Sequence, residues 1–131
     1  MQKLSLDALA RQQLAGAKSA SSGRSARTVF GGHEHVLRQT LIALTAGTAL
    51  SEHDNPGDAT ILVLSGRVRL TAGAVDWEGR EGDFLLVPSA RHSLLAVEDA
   101  VILLSVASNP SVPDSRGMVA QPENRVGSAL T

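Results

Sequence analysis

The chain has 131 residues, with 12 basic and 13 acidic side chains interspersed, a formal charge of −1, 43% apolar residues, 12 glycines and no cysteine. That length suits one domain with a single core, and balanced charge with only Phe30, Phe84 and Trp77 as aromatics excludes the basic footprint and base-stacking platform of a nucleic-acid binder. Without cysteine there are no disulfides, thiolate ligands or thiol nucleophile, although this does not identify the compartment.

Ser5 fits the N-cap of a helix over 6–16, where its hydroxyl accepts an orphan backbone N–H, and Leu4 and Leu9 hold the two positions of a hydrophobic staple. Leu6, Leu9 and Leu14 mark its apolar side. The opening MQKLSLDALA has no uninterrupted apolar stretch of the kind that export signals carry, and no run approaches the roughly 18 apolar residues of a membrane span. A soluble cytoplasmic protein without membrane partners is the expectation. GAKSASSGRS then reads as a flexible linker, so residues 1–25 form a helix-and-linker segment. Strands are expected near 26–30, 36–45, 60–64, 67–72, 75–78, 83–87, 92–97 and 100–107. Gly-, Pro- and Asp-bearing breaks (AGT, NPGD, SG, AGA, EGREG, PSAR, ED) separate them, and such spacing indicates an all-β sandwich or barrel over 26–108. The last stretch, SNPSVPDSRGMVAQPENRVGSALT, has three prolines and little periodicity. Residues 109–131 read as an extended or disordered tail, with the alternative that it lies across a partner subunit.

Two segments carry a family likeness. GTALSEHDNPGDATILVLSG, from Gly47 to Gly66, resembles the first cupin motif: Gly, five variable residues, His-x-His, a glutamate and a closing Gly. Gly47, His53 and Gly66 fall on it, while Asn55 replaces the second histidine and Ala59 the glutamate. GDFLLVPSARHSL resembles the second motif through Gly82 and Pro88; Ala90 replaces its glycine, His92 comes one residue early, and Ala96 stands where an asparagine belongs. The resemblance covers roughly 35–107 and implies a small cupin, a double-stranded β-helix or jelly-roll barrel with a short N-terminal helix and an extended C-terminal tail.

The site follows from these two histidines. His53 and Asn55 share a face if their segment is extended, and the short stretch between Gly66 and Gly82 allows His92 to approach His53 at the barrel mouth. Imidazoles suit Zn, Cu, Ni or Fe, yet catalytic zinc takes three protein ligands, and the iron triad needs a carboxylate that Ala59 does not supply. Asp58 is adjacent, but one residue along a strand is the opposite face unless a bulge intervenes. GGHEH adds His33 and His35, and His35 or Gln39 reaching the same cavity rebuilds a three-ligand site; otherwise both histidines are exposed residues after a Gly-Gly turn. Arg38 and Arg91 stand near the mouth, as partners for an anionic ligand or as solvated side chains. Arg67 and Arg69, alternating with Val68 and Leu70, describe a strand with one wet face, and Trp77 reads as a packing residue. No Gly-x-Ser-x-Gly elbow, phosphate-cradling loop or His-Glu-x-x-His helix is present, and the acidic pairs Glu78/Glu81 and Glu98/Asp99 sit in turns or at their edges, where solvation accounts for them.

The ligand set is therefore His53, Asn55, His92, Gln39 and Arg38, with His53, His92 and His35 as metal ligands if one divalent ion (Zn, Fe, Mn, Ni or Cu) is held at all. Three functions remain open: a barrel that binds a small molecule for sensing, sequestering or carrying, a metal-dependent cupin enzyme of dioxygenase or isomerase type, and a purely structural dimerisation module. The edges of so small a barrel favour a homodimer.

Overall fold

The computed structural model describes residues 1–53 and 57–107, with Glu52 and His53 in backbone only. Asn55 and the tail expected over 109–131 lie outside the described residues. Within them the chain forms helix α1 (Leu6–Ser19) and strands β1 (Arg24–Phe30), β2 (Leu37–Leu44), β3 (Ala49–His53), β4 (Asp58–Ser65), β5 (Arg67–Ala72), β6 (Val75–Arg80), β7 (Phe84–Leu86), β8 (His92–Ala96) and β9 (Ala100–Ala107). All pairings are antiparallel, in a five-stranded sheet ordered β1-β2-β9-β4-β7 and a four-stranded sheet ordered β3-β8-β5-β6. This is the all-β sandwich expected from the spacing of the apolar runs, and the jelly-roll that the motif resemblance implies.

Alternation along each strand separates two cores. Ile42 and Leu44 on β2, Ile61 and Val63 on β4, and Leu94 on β8 turn toward the facing sheet and are buried with their neighbours between the two layers. Leu41 and Ala43, one residue out of phase with Ile42 and Leu44, join Val101 under Leu9 and Ala17 of α1. The helix is thus a lid on the outer face of the larger sheet. Its N-cap is as expected, with the Ala8 N–H donating to Ser5 Oγ at 3.1 Å, whereas Leu4 stays about half exposed. The linker is shorter than its composition indicates. α1 runs three residues past 16, because Ala17 is fully buried against the sheet, and β1 begins at Arg24. Tertiary burial outweighs the flexibility that Gly16, Ser19 and the serines after it confer on a free chain.

The remaining differences are local. The expected strand list lacks β3, whose five residues hold a single large apolar side chain, Leu50. Trp77 pairs with Leu70 but stays 44% exposed on the edge strand β6. Glu78, which ends the strand expected over 75–78, lies within β6, where its carboxylate accepts from Arg69 Nη2 at 2.8 Å. At Gly66, φ is +79° and a Cβ would run into the Asp99 carbonyl oxygen, so the β4–β5 turn admits only glycine.

Candidate functional site

His53 and His92 are nearer than neighbours across a barrel mouth: they are paired residues on adjacent strands. In the β3–β8 ladder Ala49 faces Leu95, Leu50 faces Leu94, and His53 faces His92. Three residues on β3 therefore span two on β8, which defines a β-bulge. Simple alternation from Leu50 puts position 53 out of phase with the core; the extra residue restores the backbone of His53 to the place opposite His92.

His92 begins β8, whose buried positions are His92, Leu94 and Ala96, so its ring belongs to the inner face and is only 5% exposed. Nδ1 lies 3.0 Å from the Ala90 carbonyl oxygen. A carbonyl only accepts, so Nδ1 carries the hydrogen, and in the neutral ring Nε2 keeps the lone pair. The alanine in place of the motif's glycine thus supplies the main-chain atom that sets the imidazole's orientation.

The larger sheet faces this pair. On β4, Ala59 is buried among core residues and Asp58 is exposed, with regular register from Asp58 to Val63. No bulge brings the carboxylate round. Position 59, where the family pattern has glutamate, points inward as a methyl group. Beside it stand Val106, its β9 partner, and Val87, whose N–H donates to the Ala59 carbonyl at 3.0 Å. Arg38 faces Val106 from the other side of β9, in phase with Thr40, Ile42 and Leu44 on the inner face of β2. His53 is the last residue of β3, Asp58 the first of β4 and His92 the first of β8, so these positions lie at one end of the barrel.

Two of the expected ligands lie elsewhere. Gln39 is one residue out of phase with Arg38: it sits on the outer face, where its Nε2 donates to Ser105 Oγ at 3.0 Å, so it does not line the interior. His35 is exposed in the β1–β2 connection, its ring 5.1 Å from that of Phe30, and His33 is exposed as well. Neither comes to the inner face, because the Gly31–Gly32 turn ends β1 before them and the chain re-enters the sheet only at Leu37. Arg91 is exposed at the foot of β8. Among the described residues no three His, Cys, Asp or Glu side chains gather as a metal site. With Ala59 in place of a carboxylate and His35 turned away, the described donors do not fit a catalytic ion of three protein ligands.

One polar residue escaped the sequence reading. Thr40 is 3% exposed on the inner face, two positions from Arg38. Its signal is in the run LRQTLIAL, since a residue in phase with Ile42 and Leu44 must face the same core. At the other end of the barrel a polar cavity of about 400 Å³ is lined by Gly66, Arg67, Arg80, Glu81 and Glu98. Arg67 there is tied to Glu98 at 3.2 Å and Glu78 at 3.9 Å.

No known family profile and no curated protein matches the chain. Solved structures do. A conserved protein of unknown function from Streptococcus pyogenes is similar at 28% identity over 70% of this chain and 80% of that one, with a TM-score of 0.63. A cupin superfamily protein from Desulfitobacterium hafniense matches at 18% identity over 66% and 78%, TM-score 0.61. An RmlC-like cupin protein from Desulfovibrio desulfuricans matches at 24% over 64% and 81%, TM-score 0.57. The chain has the small RmlC-like cupin fold, as its two degenerate motifs imply.

Proposed function

We propose that this cupin-fold chain binds a small molecule inside the barrel end where β3 and β8 pair. His53 and His92 form its polar pole, Arg38 and Thr40 the opposite wall, and Leu, Val and Ile side chains line the depth, a lining of mostly apolar surface with a few convergent polar groups. The observation that carries this reading is His92, a buried imidazole held by the Ala90 carbonyl on the inner face, set directly against His53 in the ladder. The inward alanine at 59 favours binding over metal-dependent catalysis. Asn55, next to this end in sequence, joins the same pole in the proposal.

Metal content tests it. Protein dialysed against Zn, Fe, Mn, Ni or Cu and then desalted should hold well under one equivalent of any of them. One tightly held equivalent that His92→Ala removes overturns the metal-free reading and restores the enzyme alternative. We place the chain in the cytoplasm as a homodimer. No helix among the described residues is long and apolar enough to cross a membrane, and the exposed Phe84 and Leu86 on the outer sheet offer a surface for a second copy.

A further inference from the structure

We infer that the polar cavity lined by Gly66, Arg67, Arg80, Glu81 and Glu98, away from the histidine pair, binds a free α-amino acid by its zwitterionic head. The inference goes beyond the function proposed above and does not rest on it. The cavity measures about 400 Å³, within the roughly 300–1,000 Å³ of small-molecule sites, and four of its five lining residues are charged, so its occupant is small and polar. Arg67 and Arg80 are direct partners in the β5–β6 ladder and stand side by side on one face. Like charges so placed repel each other unless an anion lies between them. The backbone that carries these side chains is pinned. The Arg80 N–H donates to Asp83 Oδ2 at 2.8 Å, the Asp83 N–H to the Arg80 carbonyl at 2.8 Å, and the Glu98 N–H to the Arg67 carbonyl at 3.2 Å.

The pairing of the charges decides which molecule fits. Arg67 and Arg69 are matched by Glu98 and Glu78, with contacts of 3.2 Å from Arg67 to Glu98, 3.9 Å from Arg67 to Glu78 and 2.8 Å from Arg69 to Glu78. That network is neutral and leaves one donor over: Arg67 Nε is buried without an acceptor, which is costly unless something supplies one. Arg80 and Glu81 are exposed, and among the described residues neither closes an ion pair. The cavity thus presents one cation, one carboxylate and one N–H donor without partners. A simple carboxylic acid answers the cation and the donor but meets Glu81 as a like charge, and a simple amine answers Glu81 alone. An α-amino acid answers all three: its carboxylate accepts from the Arg80 guanidinium and from Arg67 Nε–H, while its ammonium donates to Glu81. The 3.9 Å contact to Glu78 is too long for a hydrogen bond, so the Arg67 guanidinium can turn against Glu98 and bring Nε to the ligand.

The test uses the whole chain and a nuclear magnetic resonance titration with glycine and L-serine, against acetate, which keeps only the carboxylate, and ethanolamine, which keeps only the ammonium. Both amino acids should shift the Arg67, Arg80 and Glu81 amide resonances and saturate, with acetate and ethanolamine at least tenfold weaker. Arg80→Gln and Glu81→Gln, both at exposed positions outside the Arg67 network, should each cost tenfold or more in glycine affinity without moving the melting temperature. Arg67→Lys, which keeps the charge and removes Nε, should weaken glycine several-fold. His92→Ala should leave glycine affinity at the parent value, which separates this site from the one at the histidine pair. Acetate or ethanolamine binding as tightly as glycine would overturn the zwitterion assignment, as would Arg80→Gln or Glu81→Gln without effect. Absence of any saturable shift up to about 50 mM glycine, far above a millimolar dissociation constant, would show that the cavity takes no amino acid.

Discussion

Position 59 is where a single side chain decides the chemistry. Ala59 is buried among core residues in regular register, so a longer side chain there enters the interior rather than solvent. Ala59→Glu should therefore bring a carboxylate toward the histidine pair and toward Arg38. The expected outcome is measurable binding of Zn or Ni above the parent's. Asp58→Ala, on the exposed face, should not change metal binding. Inductively coupled plasma mass spectrometry reads it; an Ala59→Glu protein that takes up no more metal than the parent contradicts the placement. The same residues show what a sequence makes legible. The motif spacing located His53 and His92, and strand alternation alone separated Ala59 from Asp58. Arg38 and Gln39 could not both have been ligands, since adjacent strand residues face opposite ways; only the register against Val106 and Ser105 says which turns inward. Thr40 went unnoticed because threonine is an ordinary strand residue until its phase with Ile42 and Leu44 places it on the inner face.

Helix α1 and the β5–β6 hairpin carry their own tests. Leu9 is the helix's large buried side chain, set with Leu41 and Val101 on the outer face of the sheet. Leu9→Ala should cost about 2–4 kcal/mol in chemical denaturation, and Ser5→Ala about 1 kcal/mol through the lost N-cap. A change below a few tenths for Leu9→Ala would mean that the helix does not rest on the sheet. On β6, the hydrogen bond from Arg69 holds the Glu78 carboxyl below its ordinary value, and the same contact raises Arg69. A carboxyl lowered on folding stabilises above its unfolded value and loses that contribution as pH falls through the lowered one. Replacing Glu78 by Gln should thus lower stability slightly at pH 7 and less at pH 3, so that the two proteins' denaturation midpoints converge in acid; because the pair is exposed, salt should weaken the difference. Elements whose apolar pattern is strong were readable in advance, β5 and β9 to the residue. β3 was not, because one leucine in five residues gives no period and its bulge is visible only against β8.

At the scale of the whole molecule, the covering of the larger sheet is incomplete. α1 shields β1, β2 and β9 over Leu41, Ala43 and Val101, but toward the end where His53 and His92 pair, among the described residues the outer face runs uncovered from Phe30 through Gln39, Ser105 and Thr60 to Leu86 in one continuous register. None of these five is charged. Phe84 and Leu86 on the edge strand β7 are 59% and 63% exposed, with Leu62 paired to Phe84 beside them. The rows on either side each hold one charge: Asp58 stands in register with Ala107 and Leu37, and Arg27 with Leu41, Leu103, Leu62 and Phe84. Five strands at about 4.8 Å and three side-chain rows at about 6.8 Å make a strip on the order of 20 Å by 14 Å, smaller than what a specific interface takes from each partner, roughly 600–800 Å². Pairing of two copies there would shelter the β7 edge, and a strip of this size fits a weak dimer rather than an obligate one. Sedimentation velocity should show dimer at about 100 µM, and Leu86→Glu or Phe84→Glu should leave monomer at every concentration while the melting temperature stays near the parent value, since both side chains are exposed on the edge strand. A parent chain that remains monomeric at 100 µM, or a Leu86→Glu protein that dimerises as the parent does, would show that this face is not where two copies meet.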